Sequence, residues 1–340
     1  MKSSQTNETM ASMITSTLKD FVKSKIFVLL FVLAIIVIIF AAVSGGRFLS
    51  PPNIRHIFQA TVVVSLLTIG SGTLLIAGHI DLSLGGIGTM CAMMAAYLMR
   101  LGLPWHMAML AAIVLGGIAG AFNAVLVNEF RFPSFIATLA TATITQGFVA
   151  VISQGRHIDI RDNTFNFIGG ARIINDMVPI SLIISLTLLV IYGVMLKNTK
   201  FGRTIYLIGG NAEAAHLAGV RKKRISYILF INAAALSALA GMLLAGRMMT
   251  ANVVGISASQ FMGLTAAILG GISFGGGTGG MGGALLGILI LSSVNNGMTV
   301  INIPPHWQSV VQGAVLLFAL AADFVSTRRA GRNLGVHYGN

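Results

Sequence analysis

Ten apolar segments of 14 to 24 residues divide this chain of 340 residues and constrain its fold more than any other feature. A helix needs about 20 predominantly apolar residues to cross the hydrocarbon core of a bilayer. Only 9% of the residues are charged, against about a quarter in soluble domains. The sequence therefore predicts an all-α polytopic membrane protein in the lipid bilayer, with about ten spans near residues 26–43, 57–77, 83–99, 104–127, 133–152, 178–196, 225–245, 259–272, 279–300 and 306–323.

The Lys and Arg residues cluster at the ends of these segments instead of forming one basic face. This distribution argues against a nucleic-acid partner despite the formal net charge of +13. With a cytoplasmic N-terminus, 15 of the 22 Lys and Arg residues fall on the cytoplasmic side of the predicted spans. The bias predicts a transmembrane domain at 26–326 between cytoplasmic tails at 1–25 and 327–340.

The longest cation-rich interruption, residues 197–224, holds seven Lys or Arg residues and a single acid, Glu213. Within it, Asn211 is a favourable helix N-cap and Gly219 is placed to end the helix, while Glu213 puts a negative charge in the first turn. These signals predict a helix of about seven residues, which is marginal in water unless it docks against something.

This short helix would carry an apolar stripe, because Ala214, Leu217 and Ala218 are spaced i, i+3, i+4. Such a stripe is typical of a helix that lies in a groove of a partner. A solvated connector that happens to contain Ala and Gly is the alternative.

Glycine is concentrated in two runs, residues 69–88 and 270–287, among 40 glycines in all. Uniform lipid-facing helices are unfavourable there, so we expect broken helices or close helix packing. We interpret the runs as corresponding places in two inverted halves, 57–152 and 225–323, flanking a solute pathway. The GxxxG pair Gly116 and Gly120 is interpreted as helix packing only.

Asp81 is an acid in an apolar neighbourhood, and ionisable residues at such places are functional by default. The predicted topology puts it at a cytoplasmic turn, where it could instead cap a helix starting at Leu82 or pair with His79. The other pathway candidates are glycines of the second run, which lies in a different part of the chain from the 197–224 segment, and neutral amides. They are Gly276, Gly279, Asn296 and Gln312, with Asn123 and Gln146 as further amides. The amides either contact hydroxyls of the solute or join helices.

Other chemistry is not supported by the sequence. The pattern Gly277-x-Gly279-x-x-Gly282 lacks the strand and the acid that a dinucleotide site needs. No GxxxxGK[ST] motif is present for ATP, and the seven His and one Cys show no metal spacing. We therefore expect no cofactor, no metal and no catalytic residue, and Cys91 is most simply a small buried residue.

The segment GRTIYLIGGNAEAAHLAGV at 202–220 resembles the cytoplasmic coupling segment of membrane permeases of ATP-binding-cassette (ABC) importers, in the branch that carries ribose, arabinose, xylose and galactose. Three further stretches agree in order. They are HIDLSLGGIGTM at 79–90, FPSFIATLATATITQG at 132–147, and LGGISFGGGTGGMGGALLG at 269–287 followed by residues 295–324. His79 departs from the Gly, Glu or Asp usual in the family.

The resemblance implies the permease subunit of an importer for a monosaccharide or similar small polyol, in the bacterial cytoplasmic membrane. It implies three protein partners: a cytoplasmic ATPase that performs the hydrolysis, an external sugar-binding protein, and a second permease copy, identical or related. In the family the coupling segment docks into a cleft of the ATPase, which here would involve Asn211, Glu213, Ala214, Ala215, Leu217 and Gly219.

The longest outer loop, 153–176, has mixed charge and would suit a transient dock for the binding protein. An ordinary solvated loop is the alternative there. For the whole chain the main alternative is an ion-coupled secondary transporter, which needs intramembrane acids. Residues 214–322 contain none. A membrane enzyme is the second alternative, and it lacks a plausible catalytic constellation.

Overall fold

The computed structural model describes residues 25–333, so most of the two predicted tails, 1–24 and 334–340, lies outside the described residues. Within 25–333 the chain is almost entirely helical. The helices are α1 (Lys25–Val43), α2 (Pro51–Ile76), α3 (Leu84–Arg100), α4 (Trp105–Asn128), α5 (Ser134–Ser153), α6 (Asn163–Gly170), α7 (Ile180–Asn198), α8 (Lys200–Gly210), α9 (Ala212–Leu217), α10 (Lys222–Met248), α11 (Gln260–Leu269), α12 (Met281–Val300) and α13 (Pro305–Asn333).

Four two-residue strands form two small antiparallel pairs in the loops. Strands β1 (Ile158–Asp159) and β4 (Thr250–Ala251) pair, as do β2 (Arg172–Ile173) and β3 (Val178–Pro179). The first pair joins the outer loop after α5 to the segment that follows α10.

Eight helices of the described chain are long and apolar enough to cross a membrane, which confirms the predicted all-α polytopic class. They are α1, α2, α4, α5, α7, α10, α12 and α13. The prediction of ten continuous spans is not confirmed. Helix α3 has 17 residues and α11 has 10, or about 25 and 15 Å at 1.5 Å per residue, short of the roughly 30 Å hydrocarbon core.

Helix α2 is the centre of the bundle, since all of its residues from Thr61 to Ile76 are buried, whereas few residues of α1 and α13 are buried. An apolar helix of this kind can be surrounded on every side only if its polar side chains are satisfied internally. Its hydroxyl groups donate to backbone carbonyls one turn earlier in the same helix, at 2.6–2.9 Å: Thr61, Ser65, Thr68 and Thr73.

Small residues allow α10 to approach α2, α3 and α4 closely. A Cβ atom added at Gly116 of α4 would lie 3.0 Å from the Cβ of Ala238, and one at Gly70 of α2 would lie 3.2 Å from Ala233. Gly120 packs on the backbone of α10 at Phe230. The interpretation of the GxxxG pair as helix packing is therefore confirmed.

The two short helices begin side by side. Each is preceded by a non-helical segment, 77–83 before α3 and 249–256 before a 3₁₀ turn (Ser257–Ser259) that leads into α11. The Oγ1 atom of Thr89, in α3, accepts a hydrogen bond from the N–H of Ile256 at 3.0 Å and lies 3.0 Å from the Oγ of Ser257. The N-terminal half of α3 therefore contacts the segment 249–259 that precedes α11.

The equivalence of the halves differs from the expected one. The short helices are the second helix of each half, α3 after α2 and α11 after α10. The glycine runs do not correspond, because 69–88 precedes α3 whereas 270–287 follows α11. By chain order the partner of the break at 77–83 is the segment 249–259. Glycine content indicates where backbones pack closely, but it does not identify equivalent positions in the two halves.

Candidate functional site

The predicted short helix is present as α9, Ala212–Leu217. The Oδ1 atom of Asn211 accepts hydrogen bonds from the N–H groups of Glu213 at 3.0 Å and Ala214 at 2.9 Å, which is the predicted N-cap. Gly219 lies just beyond the helix with φ +78°, a conformation that an L-residue seldom adopts. The local signals in the sequence are therefore sufficient to start and to end this helix.

The outward face of α9 is apolar and exposed. Leu217 is 84% exposed, and Ala214 and Ala218 are exposed as well, whereas Ala215 is buried against the protein. Glu213 is exposed on the first turn. A large exposed Leu on a capped helix of six residues presents a small apolar surface without a partner in residues 25–333.

Helix α8 was not predicted, because the cations of the 197–224 segment indicate a loop. It begins after Thr199, whose Oγ1 accepts a hydrogen bond from the N–H of Gly202 at 3.0 Å. Ile205 and Ile208 are buried on its inner face. The signal was a Thr N-cap followed by apolar residues 201, 205 and 208, spaced i, i+4, i+7.

The end of α8 packs directly on two interruptions of the bundle. They are the first break, residues 77–83 after α2, and the second break, the loop 270–280 after α11. A Cβ at Gly209 would overlap the carbonyl oxygen of Ile76, the last residue of α2, and one at Gly277 would lie 2.6 Å from the Cα of Gly210. A Cβ at Gly276 would lie 3.2 Å from Gly78. We call Gly78, Gly209, Gly210, Gly276 and Gly277 the glycine junction. It brings α8, the end of α2 and the loop after α11 into backbone contact.

Gly279 also contacts the 197–224 segment. The hydroxyl of Tyr206 in α8 donates a hydrogen bond of 2.7 Å to the carbonyl oxygen of Gly279. The second glycine run and the 197–224 segment are therefore in contact, although they lie in different parts of the chain. The sequence does not reveal this contact, because it depends on how α8 folds back against the bundle. Gly276 and Gly279 remain pathway predictions, although close packing accounts for both of their positions.

Asp81 lies in the non-helical segment between α2 and α3 and is only 4% exposed. Its Oδ1 accepts from the N–H of Ser83 at 2.7 Å and the Oγ of Ser83 at 2.5 Å. Asn123 donates to that same Oγ at 2.8 Å and accepts from Thr141 at 2.6 Å. Asp81 therefore anchors a buried polar network that connects the break with α4 and α5.

The expected details around Asp81 require correction. The helix begins at Leu84 and not at Leu82, because the segment before it is extended and bonded to α5: Ile80 donates to Ser134, and Leu82 donates to Thr138, each at 3.0 Å. Asp81 makes no ion pair with His79 in residues 25–333. It is buried against α4 and α5 and not placed at an open turn.

His79 packs on α10 instead. Its ring lies 5.4 Å from that of Phe230, centroid to centroid, and the residue is 8% exposed. The Nε2 atom has no hydrogen-bond partner in the described part of the chain. The His79 ring therefore fills the space between the segment 77–83 and α10.

The amide candidates differ in whether their side chains join two helices or lack a hydrogen-bond partner. Gln312 of α13 donates to Asn295 of α12 at 2.8 Å, so it joins two helices. Asn123 does the same in the Asp81 network. The Oδ1 of Asn296, by contrast, is buried and has no partner within residues 25–333. Gln146 is exposed on α5. Asn296 therefore keeps an unpaired acceptor among the described residues and stays a pathway prediction.

The loop after α5 contains a charged cavity of 680 Å³ between the end of α3 and the strand β1. Charged residues of both signs and one His contribute to its walls: Arg100, His157, Asp159, Arg161 and Asp162. Asp162 also caps α6 by accepting from the N–H of Phe165 at 2.9 Å. The guanidinium groups of Arg100 and Arg161 make no ion pair within the described residues. The cavity therefore presents unpaired Arg side chains and Asp side chains on one surface.

A salt bridge joins the loops at the opposite end of the bundle. The Nζ of Lys223, at the start of α10, donates to Glu129 after α4 at 2.7 Å, and this hydrogen bond holds the pKa of the Glu129 carboxyl below its ordinary value. Both side chains are exposed, so the salt bridge contributes little to stability. Its main effect is to hold Glu129 beside the start of α10.

The described residues contain no group of three His, Cys, Asp or Glu side chains that could hold a metal ion. What the geometry does define is a bundle with interrupted helices, whose interruptions contact α8, the helix directly before the exposed, capped helix α9. Interrupted helices with irregular backbone buried inside a bundle are characteristic of membrane transport proteins.

Comparison with known proteins identifies the family. The family described as "Branched-chain amino acid transport system / permease component" matches residues 53–320, and the chain belongs to it. The D-allose transport system permease protein AlsC of Escherichia coli K12 is 33% identical over 296 residues, 86% of this chain and 90% of the relative. The ribose import permease protein RbsC of Bacillus subtilis 168 is 32% identical over 87% of this chain and 91% of the relative. The L-arabinose ABC transporter permease protein AraH of Azospirillum brasilense is 29% identical over 86% of each chain. No solved structure matches the chain.

Proposed function

We propose that this chain is the permease subunit of an ABC importer that moves a monosaccharide or similar small polyol across the bacterial cytoplasmic membrane. The named substrates of its relatives, D-allose, ribose and L-arabinose, support this solute class. The observation that carries the proposal is the backbone contact between the α8–α9 segment and both helix breaks at the glycine junction.

The free energy of ATP hydrolysis would be transmitted through α9, where a separate cytoplasmic ATPase would bind the exposed apolar face around Leu217. The dock would involve the residues of the resemblance: Asn211, Glu213, Ala214, Ala215, Leu217 and Gly219. Because α9 follows α8 directly, a displacement of α9 by the ATPase would move Gly209 and Gly210 against the end of α2 and the loop after α11. The ATPase would thereby bias the bundle between two conformations that differ at the breaks.

The solute pathway would run along the interrupted helices, in a dimer with a second permease copy. Asn296 supports this placement through its unpaired acceptor. Gly276, Gly279 and Asp81 would border the pathway at the breaks, whereas Gln312 would act by holding α12 to α13. On the outer side, the charged cavity at Arg100 and Arg161 would receive the sugar-binding protein through complementary charges.

Both termini would lie on the cytoplasmic side, with the transmembrane domain at 26–326. An ion-coupled secondary transporter is the alternative. Asp81 is the acid that it would require, but both hydrogen bonds to its Oδ1 come from Ser83, two residues away, which supports a role in fixing the break.

Reconstitution tests the proposal. Vesicles containing this chain, its cognate ATPase and a sugar-binding protein should accumulate labelled ribose or allose only when ATP is present on the ATPase side. Uptake driven by a proton or sodium gradient without the ATPase would refute the proposal in favour of ion coupling. A substitution in the P-loop of the ATPase is the matched control, because it leaves the membrane subunit unchanged.

A further inference from the structure

A groove of 370 Å³ lies between α1, α13 and the end of α11. Its lining includes none of the pathway candidates and none of the glycine-junction residues described above. Its walls are apolar along α1 and α13, where they include Val28, Val32 and Phe318. Lys25 and Asp323 are the charged residues of its wall, one near each end of the described chain. Helices α1 and α13 are the most exposed in the bundle, so the groove opens on its lipid-facing side.

The two charges at the mouth are not paired with each other. The stem of Lys25 lies over Gly271, with its Cδ 3.7 Å from the position of an added Cβ. Lys25 makes no ion pair within residues 25–333. Asp323 accepts hydrogen bonds at Oδ2 from the Oγ of Ser273 at 3.1 Å and the N–H of Phe274 at 3.0 Å. Its Oδ1 accepts none from the described residues, so it can still accept from a ligand.

We propose that this groove binds one phospholipid with an ethanolamine headgroup. An acyl chain lies against Val28, Val32 and Phe318, the phosphate pairs with Lys25, and the headgroup ammonium donates to Oδ1 of Asp323. A headgroup with both charges complements this mouth, whereas an anionic glycerol headgroup satisfies Lys25 and leaves the Asp323 carboxylate facing negative charge. The surrounding bilayer supplies the ligand at high local concentration.

The position of the groove links the lipid to the second break. Asp323 holds the loop after α11 through Ser273 and Phe274, and that loop continues to the glycine junction. A lipid ammonium at Oδ1 fixes the carboxylate in the orientation that holds the loop. The bound lipid is therefore expected to rigidify the break without contacting the solute.

Native mass spectrometry of the purified full chain tests the proposal, with phosphatidylethanolamine, phosphatidylglycerol or phosphatidylcholine added in detergent. Ala322→Trp fills the groove, because Ala322 lines it. The matched control is Ala321→Trp, an exposed neighbour outside the lining. We expect the phosphatidylethanolamine-bound fraction to fall at least fivefold in Ala322→Trp and to stay unchanged in Ala321→Trp. Lys25→Gln, a conservative change at an exposed side chain, should weaken the binding of phosphatidylethanolamine as well.

Several outcomes would overturn the proposal. Equal lipid binding by the two Trp variants would remove the groove as the site. Phosphatidylglycerol binding as tight as phosphatidylethanolamine would remove the role of Asp323. A rise in lipid binding on deletion of residues 1–24 would assign the groove to that segment, and a change of oligomeric size in Ala322→Trp alone would assign it to a second copy.

Discussion

The backbone N–H of Gly277 donates a hydrogen bond of 2.8 Å to the carbonyl oxygen of Ile76. This bond connects the loop after α11 to the last turn of α2, although the two residues lie in different halves of the chain. Gly209 and Gly210 pack on the same two backbones. The end of α2, the second break and the α8–α9 segment therefore cannot move independently of one another.

Gly277→Ala is predicted to uncouple this junction. Gly277 has φ +71°, and its added Cβ would lie 2.6 Å from Gly210. The left-handed conformation costs an L-residue about 1–2 kcal/mol before any clash is counted. We expect a lower melting temperature of the detergent-solubilised chain and a loss of uptake in reconstituted vesicles.

Gly282→Ala is the matched control for this substitution. Gly282 lies in the first turn of α12, and an added Cβ would have nothing within 4 Å. Replacing a helical Gly by Ala is favourable by about 1 kcal/mol. Its melting temperature should stay constant or rise, with uptake retained. Equal behaviour of the two variants would show that the close approach at Gly277 is unimportant.

Tyr206→Phe tests whether α8 transmits motion to the second break. The variant removes the hydrogen bond to Gly279, worth about 0.5–1.5 kcal/mol, while the ring and its packing remain. We expect roughly a two- to tenfold fall in sugar transported per ATP hydrolysed, with normal association of the ATPase.

The control for this variant is Tyr227→Phe, whose hydroxyl makes only a long contact of 3.5 Å with Glu129. Transport per ATP should be unchanged in that variant. An unaltered ratio in Tyr206→Phe would contradict a role for the Tyr206 hydroxyl in transmission.

Local signals explain why some of these features were predictable. Asn211 and Gly219 define α9 within a few residues, and apolar runs located the spans closely, as with 104–127 for α4. Helix α8 was not predicted, because the inward packing of Ile205 and Ile208 depends on α2 and the rest of the bundle. The neighbours of Asp81 show the same difference. Ser83 is two residues away and could be predicted from the sequence, whereas Asn123 becomes a neighbour only when α4 folds beside the first break.

Asp81→Asn separates an anchoring role from proton or sodium coupling. The Asn side chain keeps an oxygen that accepts from the N–H and Oγ of Ser83, so the break should hold its shape. We expect uptake within about threefold of the original, since two neutral hydrogen bonds replace two charge-assisted ones.

Asp81→Leu is the complementary variant, and it should reduce expression and melting temperature because it leaves the buried N–H and Oγ of Ser83 without their acceptor. Abolished uptake in a well-folded Asp81→Asn protein would instead support a titrating acid in the transport cycle.

The orientation of the chain is predicted from its Lys and Arg distribution. Cysteines introduced at Lys222 and Arg161, both exposed, should react with an impermeant maleimide from opposite sides of the membrane. The background is Cys91→Ala, although the native thiol is fully buried. Labelling of both positions from outside intact cells would show that the topology is wrong.

Asn211→Ala is predicted to weaken the contact with the ATPase without unfolding the bundle. Asn211 accepts from the N–H groups of Glu213 and Ala214, and these are the principal hydrogen bonds that start α9. Loss of such a cap costs about 1 kcal/mol, which is large for a helix of six residues. The face around Leu217 should then lose its fixed shape, and less ATPase should co-purify.

Asn211→Asp is the control that distinguishes the cap from the side chain itself. Asp is an equally good N-cap and adds a negative charge at the helix N-terminus, so α9 and the recovery of ATPase should be preserved. Leu217→Asp keeps the cap and removes the apolar contact, so it should reduce recovery as Asn211→Ala does. If both Asn211→Ala and Leu217→Asp retained full ATPase recovery and uptake, α9 would not be the docking element, and the exposed apolar face would need another partner.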